Sequence, residues 1–225
     1  MALNIVREID DRVTVRHVLV SVSDKTGLDK LIPGLIAACP DVRIYSTGGT
    51  FTAIQTLLGS GSRNLVQVSD YTGQPEMQGG LVKTLDFRIY LGLLSETYNP
   101  AHVADLARSG AVSFDLVVVN LYPFQKTVAA PGATPEAART NIDIGGPCMV
   151  RASAKNYLRV ASITDPADYP AVLEELRIHR GTLGLELRLL LMQKAFRHTA
   201  AYDAAIAQFF SGVAPEDARK TYTCH

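Results

Sequence analysis

No segment of the chain approaches the roughly 18 uninterrupted apolar residues that a membrane-spanning helix requires, so none is expected to lie in a bilayer. Excess charge is also missing: 22 Lys plus Arg stand against 22 Asp plus Glu. That balance excludes the global basic field of a non-specific nucleic-acid binder. The three cysteines, Cys39, Cys148 and Cys224, are far apart and odd in number, without CxxC or His-Cys spacing. They argue against a disulfide framework and a zinc site, and suit a reducing cytoplasm. The N-terminus lacks a basic region followed by an apolar one, so no secretory signal is expected. What remains is 225 residues, 47% hydrophobic and 20% charged. These suffice for a sizeable core, with a small molecule as the expected ligand.

The apolar pattern alternates between strand and helix periods. VRHVLVSVSD (15–24) is β-branched and apolar, and KTGLDKLIPGLIAA follows with leucines and isoleucines at helical spacing, Pro33 marking an irregularity. RIYSTGGT (43–50) predicts a short strand, a Gly-rich turn and a second helix with Thr50 as N-cap. NLVQVSD (64–70) predicts a third strand. FDLVVVNLYPF (114–124) is apolar almost throughout, as expected of a central strand covered on both faces. TPEAARTNI predicts a short helix, and RVASITDPADYPAVLEEL a strand followed by a helix. From about Gly184 a long amphipathic helix or a pair of helices is expected, ending in a frayed tail. The alternation signals α/β architecture, with residues 1–212 as one domain including its C-terminal helices and 213–225 as the tail.

In open parallel sheets ligands bind beyond the carboxyl ends of the strands. Four polar stretches fall there: Ser21, Ser23 and Lys25 in SVSDK; Gly48 and Gly49 in STGGT; Asn120 and Tyr122 in VNLYPF; and NIDIGGPCMVRASAKN (141–156). Each is ordinary alone. A Gly-Gly pair is as often a tight turn as an anion cradle, and a single lysine is usually solvated. EMQGGLVKTLDF (76–87) has no clear period and reads as a binding loop, whereas His198, on the long helix, suits a packed or surface role.

Together the motifs VSVSDKTGL, STGGT, VSDYTGQPEMQGGLVKTL, VVVNLYPFQKTVA, NIDIGG, RASAKN and KAFRHTAAYD resemble, in order and over roughly residues 15–210, the inosine monophosphate (IMP) cyclohydrolase domain family. Its domains usually form the N-terminal half of a bifunctional purine-biosynthesis enzyme that also carries a formyltransferase. The resemblance implies a methylglyoxal synthase-like fold, a parallel sheet flanked by helices with a C-terminal helical extension, and a homodimer. It implies ring closure of 5-formamidoimidazole-4-carboxamide ribotide (FAICAR) to IMP with loss of water, without cofactor or metal. The chain stops where the formyltransferase half would begin, so a stand-alone cyclohydrolase served by a separate formyltransferase is expected, with a fragment of a longer enzyme as the alternative.

By the same resemblance Ser23, Asp24, Lys25, Thr47, Gly48, Gly49 and Thr50 bind the nucleotide, with Thr84, Asn120, Ile144, Gly145 and Gly146. Lys83, Tyr122, Asp143 and Lys155 match the catalytic set. The expected roles are proton transfer by Lys155 paired with Asp143, polarisation of the formyl oxygen by Lys83 and Tyr122, and an oxyanion hole of N–H groups around residues 144–146. Asp143 and Lys155 should therefore share one pocket, with Arg151 left to a structural ion pair. Leu81 and Asp86 stand where many family members have arginine and histidine. That departure keeps open a regulatory nucleotide-binding module of the same fold. An enzyme making methylglyoxal is a third reading, but it leaves NIDIGG and RASAKN unexplained.

Overall fold

The computed structural model describes residues 5–59, 61–75 and 83–223. The first half contains β1 (Arg12–Thr14), β2 (His17–Val22), α1 (Leu28–Ala38), β3 (Arg43–Ser46), α2 (Gly48–Leu58), β4 (Leu65–Gln67), α3 (Val68–Thr72), α4 (Phe87–Leu94) and α5 (Pro100–Ser109). The second half contains β5 (Leu116–Asn120), α6 (Phe124–Val128), α7 (Pro135–Thr140), α8 (Gly145–Lys155), β6 (Ala161–Ile163), α9 (Tyr169–Ile178), β7 (Thr182–Gly184), α10 (Leu185–Ser211) and α11 (Pro215–Thr221).

Five strands form a parallel sheet in the order β4-β3-β2-β5-β6. Residues 17–20 of β2 align with 43–46 of β3, and 18–22 with 116–120 of β5. The strands bury both faces. On β2, Val18, Val20 and Val22 meet Leu31, Ile32 and Leu35 of α1 and Val172 and Leu176 of α9, while Leu19 turns to the opposite cluster with Ile89, Leu93, Met149 and Val150. β5 alternates likewise, Leu116 and Val118 one way, Val117 and Val119 the other. Helices on both sides explain its unbroken apolar run, and each fully buried side chain contributes about 1.5–3 kcal/mol.

Several expectations shift in detail. The strand expected over 64–70 ends at Gln67, because Val68 already opens α3. α2 starts at Gly48 with Thr47 as its N-cap, so Thr50 lies inside the helix. Its hydroxyl accepts from the Val22 N–H at 3.1 Å and donates to the Val22 carbonyl at 3.0 Å, which ties α2 to the end of β2. α10 is one helix of 27 residues. The expected tail holds α11, packed against α7, with the Tyr222 hydroxyl bonded to Glu136. Arg151, expected in an ion pair, lies 5.8 Å from the centroid of the Phe196 ring, a cation–π contact.

A second, two-stranded ladder pairs β1 with β7 antiparallel and joins the start of the chain to α10. Beside it Arg188, on α10, has no solvent exposure. Its guanidinium donates to the carbonyls of Asp10, Asp11, Tyr157, Leu158 and Leu183 at 2.5–3.1 Å. Five oriented carbonyl dipoles thus take the place of water around a buried cation.

Candidate active site

Because the five strands are parallel, the loops leaving β2, β3 and β5 share one edge of the sheet. A cavity of about 480 Å³ opens there. It is lined by five chain segments: the end of β2 and the turn after it (Ser21, Val22, Ser23 and Lys25), residues 47–50 at the start of α2, Lys83 to Leu85, and the stretches around Asn120–Tyr122 and Asp143–Gly146.

The opening of α2 is the cationic side. Gly48 has φ +48, a left-handed conformation that favours glycine. A Cβ placed on Gly48 would lie 2.7 Å from the Lys83 ammonium, and one on Gly49 would lie 3.9 Å from that of Lys25. Two lysines therefore converge on the N-terminus of an 11-residue helix, where unpaired N–H groups and the helix dipole also favour an anion. The turn carrying Lys25 is fixed from β5. Asn120 accepts from the Asp24 N–H at 2.9 Å and donates to the Asp24 carbonyl at 2.8 Å. The Asp24 carboxylate accepts from the Thr26 N–H and hydroxyl at 2.9 and 2.7 Å, which holds its pKa below the usual carboxylate value.

Across the cavity, Asp143 stands just before α8 and accepts the Gly146 N–H at 2.8 Å. Burial pushes its pKa up, against the hydrogen bonds from the backbone of Gly146 and Tyr122. A Cβ on Gly146 would fall 2.4 Å from the Asp143 carboxylate and 2.7 Å from Leu121, so only glycine fits this approach. The Gly146 N–H is committed to Asp143, which removes it from the expected oxyanion hole. A Cβ on Gly145 would lie 2.9 Å from the Thr84 hydroxyl, which places the Lys83–Thr84 segment over the start of α8. Tyr122 and Ile144, 48% and 58% exposed, flank the opening.

A match to the model of the MGS-like domain covers residues 30–148. The chain belongs to this family. A second match, to the AICARFT/IMPCHase bienzyme, covers residues 153–225. The bifunctional purine biosynthesis protein PurH of Neisseria meningitidis serogroup A is 44% identical over 203 residues, 90% of this chain and 37% of that protein. The protein of the same name from Magnetococcus marinus is 47% identical over 199 residues, 88% and 36% respectively. The chain thus spans under two fifths of the length of these relatives. The crystal structure of ForH superimposes with a TM-score of 0.74 at 32% identity, covering 88% of this chain and all of that one.

In this MGS-like domain the cavity gathers Ser23, Lys25, Thr47, Gly48, Gly49, Thr50, Lys83, Thr84, Asn120, Tyr122, Asp143, Ile144, Gly145 and Gly146. Two expected residues stay outside its lining. Asp24 contributes backbone to the turn while its side chain faces Thr26. Lys155 is exposed at the far end of α8, an uninterrupted helix from Gly145. Ten residues at 1.5 Å each put it about 15 Å along the axis. The expected closeness of Asp143 and Lys155 is not met, because the chain does not turn after the glycines. Asp86 caps α4 by accepting the Arg88 N–H at 2.8 Å, which gives this carboxylate a structural role. Leu81 and most of the expected binding loop, 76–82, lie outside the described residues. Thr140, Ile142, Leu85 and Met149 also line the cavity. Ile142 lies within the quoted NIDIGG motif and Thr140 and Met149 sit close beside it, so the motif and its edges were the available signal.

Proposed function

We propose that the chain closes the ring of FAICAR to give IMP and water. The observation that carries this reading is the convergence in one cavity of a two-lysine helix N-terminus, suited to the ribotide phosphate, with Tyr122 and a partly desolvated Asp143 opposite. A volume of about 480 Å³ is of the right size for a nucleotide monophosphate. The PurH relatives are purine biosynthesis proteins by name.

The reaction is an internal condensation. The carboxamide nitrogen attacks the formyl carbon, the new C–N bond forms, and the formyl oxygen takes up charge; its C–O bond then breaks and it leaves as water, with one proton from the carboxamide nitrogen and one from the formamide nitrogen. Holding both groups in near-attack geometry supplies much of the rate. Asp143, whose raised pKa brings it nearer to neutrality, accepts the proton lost by the amide nitrogen. Lys83 and Tyr122 donate toward the formyl oxygen, with the N–H groups of Ile144 and Gly145 available to the oxyanion. Proton transfer rests on Asp143 in this reading, and Lys155 has no place in the first contacts of a single chain. The resemblance implies no metal or cofactor. It also implies a homodimer, with FAICAR supplied by a formyltransferase, while the few scattered cysteines suit a reducing cytoplasm; light scattering at twice the chain mass would check the dimer. Among the described residues no helix is long and apolar enough to cross a membrane.

The test is purified protein with FAICAR, followed by the ultraviolet absorbance of IMP. Asp143→Asn is expected to reduce kcat by at least about 10²-fold, and Lys155→Ala by less than about tenfold. Nucleotide binding without turnover would overturn the proposal in favour of a regulatory module. Equal losses in the two variants would mean that Lys155 reaches the pocket from a second copy.

A further inference from the structure

The motif KAFRHTAAYD contributes no residue to the lining of the cavity, yet one of its side chains reaches the loop that carries Asp143. Tyr202, on α10 and 8% exposed, accepts the Asp143 N–H on its hydroxyl at 2.7 Å and directs its own proton to the Asn141 carbonyl at 3.2 Å. The two bonds grip the chain on both sides of Ile142. The Tyr202 ring also packs at a steep angle against Phe124, centroids 6.1 Å apart. Phe124 is buried, and its N–H donates to the Tyr122 carbonyl at 2.8 Å. One side chain from the last long helix therefore braces the two loops that bear Asp143 and Tyr122.

We propose that Tyr202 is a positioning residue for ring closure: its hydroxyl sets the direction of the Asp143 carboxylate, and its ring sets the height of the Tyr122 loop. The carboxylate itself is held by the N–H groups of Gly146 and Tyr122, and the backbone that carries it is held by Tyr202. Asp143 precedes α8, so its N–H has no helical partner, and the Tyr202 hydroxyl is the acceptor that it finds. A hydroxyl can accept and donate at once, which lets one atom hold two successive peptide planes apart at a fixed distance. Without it the loop keeps its residues and loses its register against the substrate. A misplacement of about 1 Å costs on the order of 10²-fold in rate.

This inference rests on the ring-closure reading for its kinetic arm and stands apart from it for its structural arm. Tyr202→Phe keeps the ring against Phe124 and deletes both hydrogen bonds. In the variant, kcat for IMP formation is expected to fall by about 10–10²-fold while KM for FAICAR changes by less than about threefold, a split that general loosening of the fold would not produce. Amide hydrogen exchange at Asp143 is expected to accelerate by at least about tenfold, with exchange in β5 unchanged. Unchanged kcat, or an unchanged Asp143 amide, would overturn the proposal. If the wild-type chain makes no IMP while the Asp143 amide still responds to Tyr202→Phe, the ring-closure reading falls and the brace itself survives. Tyr202→Leu, which removes the packing as well, is expected to lose stability in addition to rate. A rate loss in Tyr202→Leu with none in Tyr202→Phe would assign the whole effect to packing and overturn the role of the hydroxyl.

Discussion

Burial raises the pKa of Asp143, and the N–H groups that face it lower the pKa by less. With a folded-state value above the ordinary 3.8 of an aspartate, the folded chain takes up a proton in the window just above that pH. The associated stability is full at lower pH and is lost as pH rises through the folded value. Asparagine at this position keeps an acceptor for the Gly146 N–H and removes the charge. Asp143→Asn should therefore raise Tm near about pH 7.5, with the gain shrinking toward acid pH, while turnover collapses. Differential scanning fluorimetry across pH checks the first half, and the absorbance assay the second. A lower Tm at neutral pH would show that the charge itself holds the loop.

Two elements meet at the first turn of α8, and their spacing is set by what glycine lacks. Gly146→Ala puts a methyl group 2.4 Å from the Asp143 carboxylate and 2.7 Å from Leu121. The Asp143 carboxylate must give way, so turnover is expected to fall at least about 10²-fold, with circular dichroism near wild type. Normal turnover in Gly146→Ala would contradict the geometry. The glycine pair, the strands beside it and the carboxyl-end location of the site were all legible in the sequence, because period-two apolar runs and Gly-rich turns are local signals. Three other features were not. Whether the chain turned or continued as a helix between Asp143 and Lys155 depended on Pro147, which fits the first turn of α8 and does not end it. Asp86 as an N-cap needed the start of α4 to be known. Tyr202 lies 59 residues from Asp143 in sequence, and no local period reports a contact made across a fold.

At the scale of the whole molecule, His17 and His198 are held below their ordinary pKa, in each case chiefly by burial. The Nε2 of His198 is buried without a hydrogen-bond partner among the described residues. The unfolded chain then binds more protons below about pH 6.5, so stability is present above that value and is lost as pH falls through the folded values. Asp115 and Asp143, raised by burial, act in the opposite sense in the window above 3.8. The histidine contribution is therefore read as a difference: between about pH 7 and 5, Tm of the wild type should fall more than that of His198→Asn. Parallel curves would show that His198 carries no part of the acid sensitivity.

The guanidinium of Arg188 draws its five carbonyls from residues 10–11, 157–158 and 183, three places far apart along the chain. A partly assembled molecule that lacked any one of them would hold a cation in an apolar interior with donors unanswered. Such states are costly enough to be skipped. The opening segment, the exit from α8 and the entry to α10 are therefore expected to melt together, with the start of the helix that carries Tyr202 anchored to the first residues of the fold.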